Sequence, residues 1–236
     1  MNASVAIRCL APILIGAAAP AVFAAGAPAP GDVYIYHLIN GYNKEVLSVI
    51  RHRVENVERA AITLSVTPDN AEGGVARTEI VTREGNWLQT VMESHDQKVE
   101  YVFATAYPAY VFPLDVGKSW SVRVPATVSA TGQRRSVRVD GRVLGTERIR
   151  VPAGEFDTVK VRRYVYPGDA DYYLPETAVT EVEWYVPALG RAVRTERRSE
   201  YQDLNSCHED SPCIDNGAWD VFELVQAPGT SKPGLN

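Results

Sequence analysis

The stretch "DTVKVRRYVY", Asp157 to Tyr166, decides the fold. Val159, Val161 and Val165 alternate with polar or aromatic neighbours, and Arg163 stands among them. Period-two alternation rich in β-branched side chains is the signature of a half-buried strand. The same pattern recurs on both sides. "EVLSVIRHRV" puts Val46, Ser48, Ile50, His52 and Val54 on one face, and "AITLSV" gives Ile62, Leu64 and Val66. "KVEYVFATAY" gives Val99, Tyr101 and Phe103, "SWSVRV" gives Trp120, Val122 and Val124, and "TEVEWYV" gives Val182, Trp184 and Val186. Helical spacing is not sustained anywhere past the first two dozen residues. The reading is an all-β chain: an antiparallel meander closing into an open barrel or sandwich to bury its apolar face.

Glycine-bearing turns punctuate the strands: "EGGV" at Glu72, "REGN" at Arg83, "ATGQ" at Ala130, "VDGR" at Val139 and "YPGD" at Tyr166. Asp140-Gly141 suits a two-residue hairpin turn, so a reversal is expected there. No βαβ alternation appears, which excludes a doubly wound nucleotide-binding sheet.

The N-terminus reads "MNASVAIRCLAPILIGAAAPAVFAAGAPAPGD". Arg8 precedes an apolar run from Cys9 to Val22, and Val22-Phe23-Ala24 suits a signal peptidase. The expected organisation is a signal peptide over 1–24, a flexible lead-in over 25–32, one β-rich domain over 33–226 and a disordered tail over 227–236. A periplasmic protein follows, not membrane-spanning once the signal is removed. The full sequence carries a formal charge of −5. That balance argues against general nucleic-acid binding.

"NSCHEDSPCIDNG", Asn205 to Gly217, holds Cys207 and Cys213, the only cysteines left after the signal departs. In an oxidising compartment an even pair on a polar loop reads as a disulfide. Zinc would want four ligands, and only His208 accompanies the pair. Glu209, Asp210, Asp215 and Asn216 are hard oxygen donors, but the ordered calcium-loop pattern is absent.

No catalytic, cofactor or metal motif appears elsewhere. His37, His52 and His95 lie in no ligand pattern, and no nucleophile elbow or P-loop is present. His52 reads as a packed core or edge histidine. Glu181 and Glu183 share a strand face, as a glycoside hydrolase pair might, but alternation alone predicts a solvated face and that is the preferred reading, as it is for Asp169 and Asp171. Arg134, Arg135, Arg138 and Arg142 cluster, with Arg191, Arg194, Arg197 and Arg198 further on. They read as a water-facing side with charge pairs; the alternative is a patch for anionic lipid or polysaccharide.

Three segments place Pro before Gly between strands: "FPLDVGKSW", "RVPAGEFDTVKV" and "EWYVPALGRAV". Trp120, Phe156 and Trp184, one in each segment, are expected as core plugs at strand ends. Phe112 to Trp120, Val151 to Val161 and Trp184 to Gly190 resemble motifs of an uncharacterised exported β-rich family of Gram-negative bacteria, a domain of unknown function. The resemblance implies an envelope β-protein and carries over no catalytic residue. The resulting expectation is a non-enzymatic protein without cofactor that binds an apolar or amphiphilic envelope ligand such as lipid. The alternatives are an assembly factor for another envelope protein and a carbohydrate-active enzyme.

Overall fold

The computed structural model describes residues 28–95, 97–170, 172, 175–202 and 214–228. The signal peptide, most of the tail and the Cys207–Cys213 loop lie outside the described residues.

Twelve antiparallel strands close into one barrel, each pairing with its neighbours in sequence. They are β1 Val33–Asn40, β2 Val46–Val57, β3 Ile62–Pro68, β4 Arg77–Val81, β5 Trp87–Ser94 and β6 Gln97–Tyr107. β7 Ser119–Val128, β8 Arg134–Val151, β9 Gly154–Tyr166, β10 Ala178–Val186, β11 Arg191–Gln202 and β12 Ile214–Gln226 complete the ring. The ring closes where Ile35 to Asn40 of β1 lie against Gln226 to Asp220 of β12. The expected meander is therefore a closed barrel, which leaves no open sheet edge.

The turns at Glu72, Arg83, Ala130 and Tyr166 fall between strands as expected. The Asp140-Gly141 hairpin does not form, because β8 runs straight through it. Gly141 is needed there for a different reason. A Cβ at Gly141 would come within 2.1 Å of the Trp120 ring, which lies against its backbone. Glycine in the middle of a strand here marks a close aromatic approach, not a reversal.

Eight strands give a barrel that side chains just fill, and twelve give a wider one. Large side chains occupy the extra space. Tyr101, Phe103, Tyr107, Val137, Val139, Val161 and Val165 fill the part of the lumen walled by β6 to β9. Tyr36, Leu38, Ile50, Val54 and Leu64 line the β1 to β3 side. The connector between β6 and β7 also dips inward. Asn86 donates to the Tyr110 carbonyl (3.1 Å) and accepts from its N–H (2.7 Å), holding Tyr110 in the interior.

β8 and β9 outrun their neighbours. A register shift between Val143 and Gly145 bends their hairpin, and Ala153 N–H at its tip donates to Leu224 C=O of β12 at 3.0 Å. Val151 and Phe156 of this hairpin join Trp184, Val186, Leu189 and Leu224 in one apolar cluster. Phe156 and Trp184 are both buried, as plugs should be, but Trp120 is only half-buried: its ring lies against Gly141 and its Nε1 donates to the Pro108 carbonyl at 3.0 Å. Trp184 Nε1 donates to Glu147, and Lys160 and Arg194 flank its ring. All three Pro–Gly segments lie at the same end of the barrel, since each connects an even strand to the odd strand that follows.

Outward positions carry charge on strand after strand: Arg51, Arg53 and Glu55 on β2, Glu100 on β6, Arg138 and Arg142 on β8, Arg198 and Glu200 on β11. No helix among the described residues is long and apolar enough to cross a membrane.

Candidate functional site: a charged lumen

The alternation that makes β9 a strand also sends Arg163 into the barrel, between Val161 and Val165. Register then decides its partners. Arg163 stands opposite Glu181 of β10, and Glu181 stands opposite Arg197 of β11. Glu183 follows on the same inward face. Charges of opposite sign thus alternate across three strands at one level of the lumen.

Arg163 is wholly buried, and each of its three guanidinium nitrogens has a partner. Its Nε (3.1 Å) and Nη2 (2.9 Å) bond Glu181 Oε2. Nη1 bonds Glu183 Oε2 at 2.9 Å and the Ala109 carbonyl at 3.1 Å, and Nη2 meets Glu183 Oε1 at 2.8 Å. Arg197 Nε takes the remaining oxygen of Glu181 at 2.7 Å, and the Tyr110 hydroxyl donates to Glu183. A buried charge is tolerable only when paired and hydrogen-bonded, and these are. Burial disfavours the Glu181 carboxylate, but Arg197 and Arg163 outweigh it and pull its pKa below the usual range. Burial, then Glu183, push the Tyr110 hydroxyl well above its ordinary value.

The solvated reading of Glu181 and Glu183 is thus overturned: both are buried, because their strand turns that face into the lumen. Asp169 is buried as well. It accepts from the Thr177 N–H (2.9 Å) and hydroxyl (2.6 Å) and faces His95 Nδ1 at 3.3 Å. Asp171 lies outside the described residues.

Beside this network the lumen is hollow. A cavity of about 140 Å³ lies among β1 to β5 and β10 to β12, partly open to solvent. Rings of Tyr36, Trp87, Tyr110 and Phe222 line it, with His52, Arg77, Glu79, Glu183, Arg191 and Arg197 as its charged or titratable groups. Arg77 pairs with Glu79 at 2.9 Å. Burial opposes ionisation of Glu79, but Arg77 and His52 hold its pKa down. His52 is not simply packed core. It lines the cavity 5.1 Å from the Tyr36 ring centroid. Burial lowers its pKa to about 4, with Arg191 and Arg77 adding to the effect against Glu79. The imidazole is neutral at pH 7.

Arg191 differs from the other lumen cations. Its guanidinium lies 3.5 Å from the centroid of the Tyr34 ring, and Nη1 reaches the Tyr36 hydroxyl at 3.5 Å. Among the described residues no carboxylate pairs with it. It begins β11 directly after Gly190, whose left-handed backbone (φ 63°) ends the short Pro187–Leu189 turn of helix.

Sequence reasoning singled out Glu181 and Glu183 but missed Arg77, Glu79 and Arg163 as their lumen companions. Cys207 and Cys213 lie outside the described residues, so their pairing stays an expectation. The same holds for His208, Glu209 and Asp210 of that loop. Asn216, offered as a calcium ligand, bonds Arg198. Among the described residues no cluster of His, Cys, Asp and Glu is arranged to hold a metal.

Fold and site together define an up-and-down β-barrel with a polar, partly hollow lumen. No family model matches the chain, and no curated protein matches it. Three solved structures are similar in outline. One is a protein of Parabacteroides distasonis ATCC 8503 described provisionally as a lipoprotein, at 16% identity and a TM-score of 0.49, over 84% of this chain and 95% of that one. Another is a provisionally exported protein of Bacteroides fragilis NCTC 9343 with a YmcC-like fold, at 14% identity and 0.49, over 84% and 96%. The third is the hypothetical lipoprotein YmcC of Escherichia coli K12, at 10% identity and 0.45, over 84% and 85%. None of these similarities carries a residue role to this chain.

Proposed function

We propose that the protein is an exported, non-catalytic binding protein that takes the acidic head of a small amphiphile into its lumen. The observation that carries this reading is Arg191, a cation on the cavity wall that pairs with no carboxylate among the described residues. A carboxylate entering the cavity would meet that guanidinium in a fork geometry, with neutral His52 and the Tyr36 hydroxyl nearby. The rings of Trp87, Tyr110 and Phe222 offer apolar walls to the rest of the ligand. The cavity suits about one aromatic ring, since a dry cavity near 150 Å³ accepts benzene.

The carboxylate pair does not favour hydrolysis. A glycosidase holds its carboxyls apart, with the scissile bond between them, and keeps one of them protonated. Glu181 and Glu183 are instead clamped to one guanidinium, and Glu181 is held ionised. Charged outer positions support a barrel in water, since a membrane barrel presents an apolar belt.

Calorimetric titration with benzoate and, separately, benzyl alcohol tests the proposal. Benzoate is expected to bind at least about tenfold tighter, because hydrogen bonds to a charged group are worth roughly 1.5–3 kcal/mol. Arg191→Met should abolish the preference. Equal affinity for acid and alcohol, or a preference that survives Arg191→Met, would refute it. Export is tested separately: N-terminal sequencing of periplasmic protein should begin near Ala25, and an intact Met1 would reject it.

A further inference from the structure

The arginines on the outer face of β7 to β9 stand apart from the other surface charges. Arg123 lies directly opposite Arg138, and Arg142 directly opposite Arg162. Opposed residues in a ladder have Cβ atoms about 5 Å apart, and like charges there repel. Arg123, Arg134, Arg142 and Arg162 have no carboxylate partner among the described residues. Several surface arginines elsewhere are met by acids, Arg148 by Asp157, Arg150 by Glu155 and Arg194 by Glu223, while Arg51 on β2 is unpaired among the described residues but faces no second arginine across its ladders. Among the described residues Asp140 is the one carboxylate paired within the cluster, to Arg138 at 3.1 Å, and it is also bonded by Ser121. Repulsion is thus partly relieved at Arg123–Arg138 and left standing at Arg142–Arg162, on one face of a chain whose net charge is −5.

The placement is also regular. Arg134, Arg138 and Arg142 recur every fourth residue of β8, so they share a face at intervals of about 13 Å. Arg123 and Arg162 widen the row on either side. The Arg162 guanidinium packs over the Tyr164 ring at 5.0 Å, and Arg138 packs over Tyr166 at 3.9 Å.

We propose that this stripe binds a linear acidic polysaccharide, whose carboxylates pair with successive guanidinia. A planar guanidinium recognises a carboxylate bidentately, and a row of them matches a polymer whose charges repeat along a line. The partly exposed Tyr164 offers a sugar ring an apolar edge. A bilayer fits less well. Attraction to anionic lipid by charge alone is weak, and strengthening it by insertion needs bulky apolar side chains, of which β7 to β9 expose only Val122, Leu144 and Tyr164.

The test is calorimetric titration of the full chain with oligogalacturonate at low salt. Neutral maltohexaose and vesicles of phosphatidylcholine with phosphatidylglycerol serve as the other two arms. Oligogalacturonate is expected to bind, weakening as salt is added, and maltohexaose not to bind. Arg142→Gln with Arg162→Gln should weaken binding about tenfold or more. Arg148→Gln with Arg150→Gln, which removes the same charge elsewhere, should change it less than about twofold. Removing opposed like charges relieves repulsion, so the first pair should melt no lower than wild type. Absence of oligogalacturonate binding, equal weakening by both pairs, or binding to vesicles alone would overturn the proposal.

Discussion

Replacing Arg163 by Met tests the reasoning about the lumen most directly. The substitution keeps the bulk and removes the charge. Glu183 would be left with Tyr110, Glu181 with Arg197, and the Ala109 carbonyl would lose the donor it has now. Breaking a buried ion pair from one side costs about 3–5 kcal/mol, because the other charge stays buried and uncompensated. A typical domain has only about 5–15 kcal/mol in total, so Arg163→Met should fold but sit close to its limit. Equilibrium urea unfolding followed by tryptophan fluorescence measures the loss. Adding Glu183→Leu removes the stranded charge and leaves the Glu181–Arg197 pair intact, so the double variant should recover more than half of it. The pH dependence has a definite sign. In wild type the depressed Glu181 pKa gives stability that is present above the unfolded value and lost as pH falls below about 4.5. A loss below about 1 kcal/mol would show that the network does not carry the charges as described.

His52 gives a second pH signature. The unfolded chain protonates below about pH 6.5, while the folded histidine resists until about pH 4, so stability should fall by up to roughly 3 kcal/mol as pH drops through that window. His52→Gln should flatten that part of the profile in urea titrations at pH 7 and pH 4.5, and an unchanged slope would contradict the assignment. Trp184→Ala should cost about 3–5 kcal/mol by removing a large buried ring from under the β8–β9 hairpin; a variant as stable as wild type would mean that the ring packs against nothing essential. Thiol labelling of denatured, unreduced protein should find Cys207 and Cys213 blocked, and two reactive thiols would reject the proposed disulfide.

The strands were legible because each carries its own period-two signal, and alternation is a local property. What alternation cannot say is which face turns inward. "TEVEWYV" offers Glu181 and Glu183 on one side and Val182, Trp184 and Val186 on the other. Hydrophobicity alone assigns the valine side to the core and the acids to water. Both sides are in fact covered: the acids face the lumen, and Trp184 lies in the cluster formed with the β8–β9 hairpin. The clue was Arg163 among Val159, Val161 and Val165 on the preceding strand. A cation on an apolar face needs carboxylates within reach, and the next strand supplies two. Asp140-Gly141 misled for a related reason. The dipeptide is favourable in a turn, but the need for space beneath Trp120 arises only once β7 and β8 are side by side. The cavity was not legible, because Arg77, Glu79 and Arg191 come from strands far apart in sequence and meet only when the ring is closed.

The pairing of β1 with β12 has a topological consequence. Every other ladder joins strands consecutive along the chain, and this one joins the first to the last. Ile35 lies opposite Gln226, so the two ends of the barrel sequence meet on adjacent strands. The ring therefore has no privileged starting point. A circular permutant opened in the turn after Val128, with a short linker joining Gln226 to Val33, would keep every one of the twelve ladders and the same lumen. It would change only which strand the ribosome makes first.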